Sequence, residues 1–154
     1  MSSKVGRLKK EKLEEGDLVT MDQFVVHQGG RLFTTSGRER EEDRFKGGTI
    51  FVDVATGKQF VKCQVSLGME ETLLDKACFE REAALRGVKI KHYMTDNGAC
   101  TAQAFIDEIH KNDQRLTFSA VGVIHQNGVA ERAIGTLVRR TKTLLLRAHL
   151  RWSY

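Results

Sequence analysis

The sequence predicts an α/β fold: a mixed five-stranded sheet, three antiparallel strands followed by parallel βαβ units, with helices on both faces. Three observations predict it. Three β-type runs come first, helices and strands then alternate, and Gly, Asn or Asp turns separate most segments. At 154 residues the chain fits one domain, long enough to bury a real core.

In chain order, residues 1–15 are charged and poor in apolar residues, and read as a lead-in or linker. "LVTMDQFVV" (18–26) follows a Gly16–Asp17 turn and is mostly apolar, as in a strand covered on both faces; Asp22 is its one strong polar intruder. Residues 27–47 are polar and glycine-containing, and are expected to form a flexible loop. "TIFVDVA" (49–55) and "KQFVKCQVSL" (58–67) are strand runs joined by "TGK", which predicts a hairpin.

Helical spacing over 69–86 groups Leu74, Ala77, Cys78, Arg81, Ala84 and Leu85 on one face, with Gly87 as the stop. "VKIKHYMTD" (88–96) predicts a strand with Val88, Ile90, His92 and Met94 on one face, ending in a "DNG" turn. Ala102, Phe105, Ile106 and Ile109 mark a short helix. "LTFSAV" (116–121) is the fifth strand, and the last helix is expected from about 127 to 149.

Composition narrows the function. No segment has the roughly 20 apolar residues of a membrane span, and the N-terminus lacks a signal-peptide hydrophobic region. Cys63, Cys78 and Cys100 are odd in number and include no Cys-x-x-Cys pair. Three reduced thiols in a soluble intracellular protein are therefore expected, not a disulfide framework. The net charge of +5 leans toward an anionic partner. Proline is absent, so the turns fall to Gly, Asn and Asp.

Three carboxylates stand out. Asp22 lies inside a strand, where a buried charge costs several kcal/mol unless compensated, on the order of what a desolvated ion loses. Asp96 closes the fourth strand, at the end where open α/β sheets bind ligands. Glu131 opens the last helix, a position the helix dipole favours by itself. On a wheel with Glu131 at zero, Ile134, Leu137, Val138, Thr141, Leu144, Leu145 and Ala148 form an apolar stripe. Arg132, Arg139, Arg140 and Arg147 form a basic face, with Lys142 beside Glu131. Glu131 stands on the seam. If the first and fourth strands are neighbours, Asp22 and Asp96 point into one cleft. Two carboxylates about 4 Å apart repel by roughly 4 kcal/mol at an effective dielectric near 20, and a cation between them relieves this. An all-oxygen acidic site suits Mg²⁺ or Mn²⁺, and three acids allow a two-metal phosphoryl-transfer site.

"TDNG", then a short helix, a strand and "HQNGVAER", resembles the integrase catalytic core of copia-type retrotransposons. That family belongs to the retroviral integrase group with an RNase H-like fold. The resemblance spans roughly residues 16–152, leaving 153–154 as a truncated end. It implies that Asp22, Asp96 and Glu131 form the acidic triad holding two Mg²⁺ or Mn²⁺ ions. It implies that Asn127, Gly128, Arg132, Arg139, Arg140 and Lys142 approach DNA. The implied activity is trimming of DNA 3′ ends and joining them to target DNA, by a homo-oligomer acting in the nucleus or in a cytoplasmic virus-like particle. Thirty-four residues separate Asp96 from Glu131, one fewer than the family's usual thirty-five; "GACT" stands where "GGEF" is common.

Asp53 is the rival for the first acid, and Asp22 is favoured. The five histidines (His27, His92, His110, His125, His149) are scattered and match no His–His–Cys–Cys zinc arrangement. The chain is thus expected to be a piece of a longer polyprotein or a decayed copy. A non-catalytic nucleic-acid-binding relic and an RNase H-like nuclease are the alternative readings.

Overall fold

The computed structural model describes residues 12–30, 40, 44–96, 99–119 and 128–150, the side chains of 28, 29 and 99 excepted. Five strands are present: β1 (Val19–Gly30), β2 (Phe45–Asp53), β3 (Gln59–Gln64), β4 (His92–Thr95) and β5 (Arg115–Phe118). Three α-helices accompany them: α1 (Met69–Leu85), α2 (Gln103–Lys111) and α3 (Gly128–Arg147). A 3-10 turn at Ala99–Thr101 leads into α2.

The strands lie in the order β3-β2-β1-β4-β5. β1, β2 and β3 form the antiparallel part, and β4 and β5 join β1 in parallel. This is the predicted mixed five-stranded sheet with helices on both faces, an RNase H-like arrangement.

The two faces have separate cores. On one, Phe79 and Ala83 of α1 and Phe105 and Ile109 of α2 pack on Val19, Met21, Phe51 and Tyr93. Phe51 and Phe79 stack with ring centroids 4.9 Å apart. On the other, Ala130 and Ala133 of α3 pack on Ile50 and Val52. Residues paired across neighbouring strands share a face. Asp22 pairs with Ile50 and Thr20 with Val52, so both lie on the α3 side.

The elements fall where the sequence places them, with three corrections. The polar segment 27–47 is not all loop: β1 runs on to Gly30, and β2 starts at Phe45. The buried face of α1 is Thr72, Asp75, Lys76, Phe79 and Ala83, whereas Leu74 is 62% and Leu85 84% exposed. Polar partners make this possible. Lys76 Nζ sits 2.8 Å from Glu80 Oε1 and lies over the Tyr93 ring, and Asp75 accepts from Gln64.

In the fourth strand, Tyr93 and Thr95 are the fully buried side chains, while His92 and Met94 are half-buried. Residues 88–91 precede the strand, with the Lys91 N–H bonded to Gly16 O. Alternation therefore begins at His92, out of step with Val88 and Ile90. The Gly87 stop is as expected, at φ +75°.

Candidate active site

The β1–β4 register positions the first two acids. Val19 pairs with Tyr93 and Thr20 with Met94; two residues further along each strand stand Asp22 and Asp96, the latter directly after β4. Adjacent strands run about 4.8 Å apart, and side chains two apart share a face. Asp22 and Asp96 are therefore side by side on the α3 face.

Glu131 reaches the same place from α3. Its neighbours Ala130 and Ala133 are buried against the sheet, while Glu131 itself is exposed. Small alanines at the contact let the first turn of the helix lie close to β2, whose Ile50 is the partner of Asp22.

Electrostatics tie the three together. The half-buried Asp22 carboxyl is pushed up to about 6, first by burial, then by the Asp96 charge, with a smaller contribution from Glu131. The Gln23 N–H, donated to Asp22 Oδ1 at 2.8 Å, works in the opposite direction. A carboxyl raised by two other carboxylates marks a point of concentrated negative potential. Among the described residues, no three His, Cys, Asp or Glu side chains come within reach of one metal ion. The acids are neighbours by charge without forming a closed ligand set.

Asp53, the rival first acid, is engaged elsewhere. It accepts from the Gly16 N–H (2.8 Å), the Thr56 N–H (2.8 Å) and the Thr56 hydroxyl (2.6 Å). These bonds close the β2–β3 hairpin and pin the turn that starts β1.

Of the residues expected at DNA, Asn127 lies outside the described residues. Gly128 begins α3 with open space around its Cα. Arg132, Arg139, Arg140 and Lys142 are exposed along the helix. Arg139 Nε donates to Gly135 O at 3.2 Å, and Arg132 and Arg140 make no ion pair among the described residues.

Two residues near the acids were not singled out in the sequence. Cys100 is buried, its Sγ 4.0 Å from Met21 Sδ, and its thiol is pushed up to about 11 by burial, with Asp96 and Asp22 adding to the rise. It belongs to the core cluster on the α1–α2 face, near enough for both carboxylate charges to act on it. Gln23 follows Asp22 and points to the opposite face, where it meets Thr72. Nothing in the spacing of either residue announces this.

The fold is that of retroviral integrase catalytic cores. One similar structure is the dimeric form of the HTLV-2 integrase catalytic core domain in complex with magnesium. It has a TM-score of 0.62 at 20% identity over 89% of this chain and 77% of that one. A simian T-cell lymphotropic virus intasome, in complex with PP2A regulatory subunit B56 gamma, has a TM-score of 0.69 at 17% identity. It covers 92% of this chain and 45% of that one. The BIV integrase catalytic core has a TM-score of 0.59 at 16% identity, over 83% and 70%. No family model and no curated protein matches the sequence.

Proposed function

We propose that this chain is the catalytic core of a copia-type retroelement integrase, a metal-dependent polynucleotidyl transferase that trims DNA 3′ ends and joins them to target DNA. The observation that carries this reading is the β1–β4 register, which sets Asp22 beside Asp96 on the face where Glu131 arrives. The integrase-core fold supports it, as do the solved HTLV-2 cores, which are complexes with magnesium.

The donor set fits hard divalent cations. It consists of carboxylate oxygens; the Asp22 carboxyl is raised first by burial and then by the Asp96 and Glu131 charges, and a cation would offset all three. On this reading Asp22, Asp96 and Glu131 would hold two Mg²⁺ or Mn²⁺ ions. When bound, such ions supply Lewis-acid stabilisation of the charge developing at the phosphoryl group.

The chain's own residues position the reactants. The Gln23 N–H orients Asp22 by holding one carboxylate oxygen. Gly128 stands at the start of α3, and Asn127, which precedes it in the chain, is assigned to the DNA contact on the resemblance. Arg132, Arg139, Arg140 and Lys142 hold the DNA backbone along the exposed side of the helix. In this reading the chain acts as a homo-oligomer, in the nucleus or in a cytoplasmic virus-like particle.

Strand transfer of a short duplex in Mn²⁺ or Mg²⁺, comparing wild type with Asp96→Asn, is the test. Activity in the wild type that Asp96→Asn abolishes supports the reading; equal activity removes Asp96 from the site. The second reading, a non-catalytic DNA-binding relic, draws on the absence of a closed ligand set among the described residues. It predicts salt-sensitive DNA binding with no metal response. A preference for RNA–DNA hybrids over DNA ends would move the assignment to an RNase H-like nuclease.

A further inference from the structure

A polar chain runs through the core behind the acidic site. Gln23 and Asp22 are consecutive in β1 and point to opposite faces of the sheet. The Gln23 peptide N–H donates to Asp22 Oδ1 at 2.8 Å, while its side-chain Nε2 donates to Thr72 Oγ1 of α1, also at 2.8 Å. The Thr72 hydroxyl donates in turn to Gly68 O at 3.1 Å. Gln64 Nε2, on β3, donates to Asp75 Oδ2 at 2.8 Å and lies 3.4 Å from Thr72 Oγ1.

Stability does not account for this chain. Thr72 is fully buried, Gln64 is 1% exposed and Asp75 8%. Gln64 Oε1 is buried with no partner, and so is the Oγ1 of Thr49, the residue paired with Gln23. Burial pushes the Asp75 carboxyl up to about 6, against the pull of the Gln64 donor. A buried network left partly unsatisfied is worse for stability than an apolar core of the same shape. What the polar chain adds to the β1–β2 ladder, and apolar packing would not, is a directed tie on the Gln23 side chain from the α1 face.

We propose that Gln23 and Thr72 are positioning residues for the acidic site: Thr72, set by Gly68 and Gln64, anchors the Gln23 side chain, and this fixes the peptide whose N–H aims the Asp22 carboxylate. The proposal rests on the reading of Asp22 as a metal ligand, but its first readout does not depend on it. The β1–β4 pairs stop at Thr20–Met94 while the β1–β2 pairs run on to Val25–Gly47, so at position 23 the ladder holds the backbone on its β2 side only, and the Thr72 anchor adds a hold from the α1 face.

The test uses the 154-residue chain with Thr72→Val, Gln23→Met and Thr72→Ser. The first two keep shape and remove one hydrogen-bonding group each; the third restores it. Exchange of the position-23 amide is followed by NMR without metal, and Mn²⁺ affinity by titration. In Thr72→Val and Gln23→Met, the amide is expected to exchange at least tenfold faster and Mn²⁺ to bind at least threefold more weakly. The melting temperature stays unchanged or rises, and Thr72→Ser restores both readouts. Should Thr72→Val fail to fold, Gln23→Met decides. Exchange and affinity both within twofold of wild type would overturn the proposal and leave the network a structural one. If no form binds Mn²⁺ yet exchange still accelerates, the anchor stands and the metal reading of Asp22 falls.

Discussion

Asp22 stands level with Asp96 across the parallel β1–β4 pair, although the two are separated by most of the antiparallel sheet and a helix in the chain. Two carboxylates in that relation cost stability, so the first prediction concerns the penalty itself. Asp22→Asn is expected to stabilise the folded chain at pH 7 by about 1 kcal/mol, after discounting for the exposed part of the group. The sign follows from the direction of the shift. With its carboxyl at about 6, above the ordinary 3.8, Asp22 is more protonated in the folded than in the unfolded chain between those values. Its contribution to stability is therefore present below pH 4 and lost as pH rises through 6. Melting temperatures from pH 3.5 to 8 should show Asp22→Asn pulling ahead of wild type across that window.

Divalent ions should reverse the order. On the proposed reading, Mn²⁺ at a hundredfold excess over its dissociation constant raises wild-type stability by about 2.7 kcal/mol. The same titration should leave Asp22→Asn nearly unmoved. A wild-type melting curve indifferent to millimolar Mn²⁺ and Mg²⁺ would favour the relic.

Asp53→Ala separates the two strand aspartates by mechanism. It removes the acceptor for the Gly16 and Thr56 groups, so a loss of roughly 2–3 kcal/mol is expected in chemical denaturation. Mn²⁺ affinity of the fraction that folds should stay at the wild-type value. A collapse of metal binding with intact stability would hand the first-acid role to Asp53.

The basic side of α3 should be read by salt. Arg132→Gln and Arg140→Gln each remove an exposed cation without an ion-pair partner among the described residues. If each meets a phosphate, each should lower the slope of log affinity against log salt by about 0.9 on duplex DNA. Unchanged slopes would place the DNA path elsewhere.

Much of this was legible because the elements have simple signatures. The "TGK" hairpin, the Gly87 stop and the Phe105–Ile109 face each follow from one local rule, and the structure has them. The face of α1 was illegible for a physical reason. Hydrophobic spacing assumes that leucines go in and charges stay out, yet Lys76 and Asp75 are buried because Glu80 and Gln64 receive them. Gln64 lies on a separate strand, and although Glu80 is one turn from Lys76 on the same helix, a wheel does not say that the pair turns inward. The phase of β4 failed similarly, because a backbone bond from Lys91 to Gly16 decides where the strand begins. For the site, sequence could nominate Asp22, Asp96 and Glu131, but only the register puts the aspartates on one face, and only packing on Ala130 brings the helix to them.

The β1–β4 register also governs when the site can come into being. β1 and β2 can pair as a local hairpin-like unit, but the step that sets Asp22 beside Asp96 closes a loop of more than seventy residues. Such non-local closure is slow and comes at the cost of chain entropy that only the completed core repays. An acidic centre assembled in this way does not exist in fragments or in partly folded chains. A full-length chain folding from the denatured state would therefore carry the basic helix, a local element, before any paired aspartates. On the proposed reading, such a chain would be able to meet a polyanion before it could act on one.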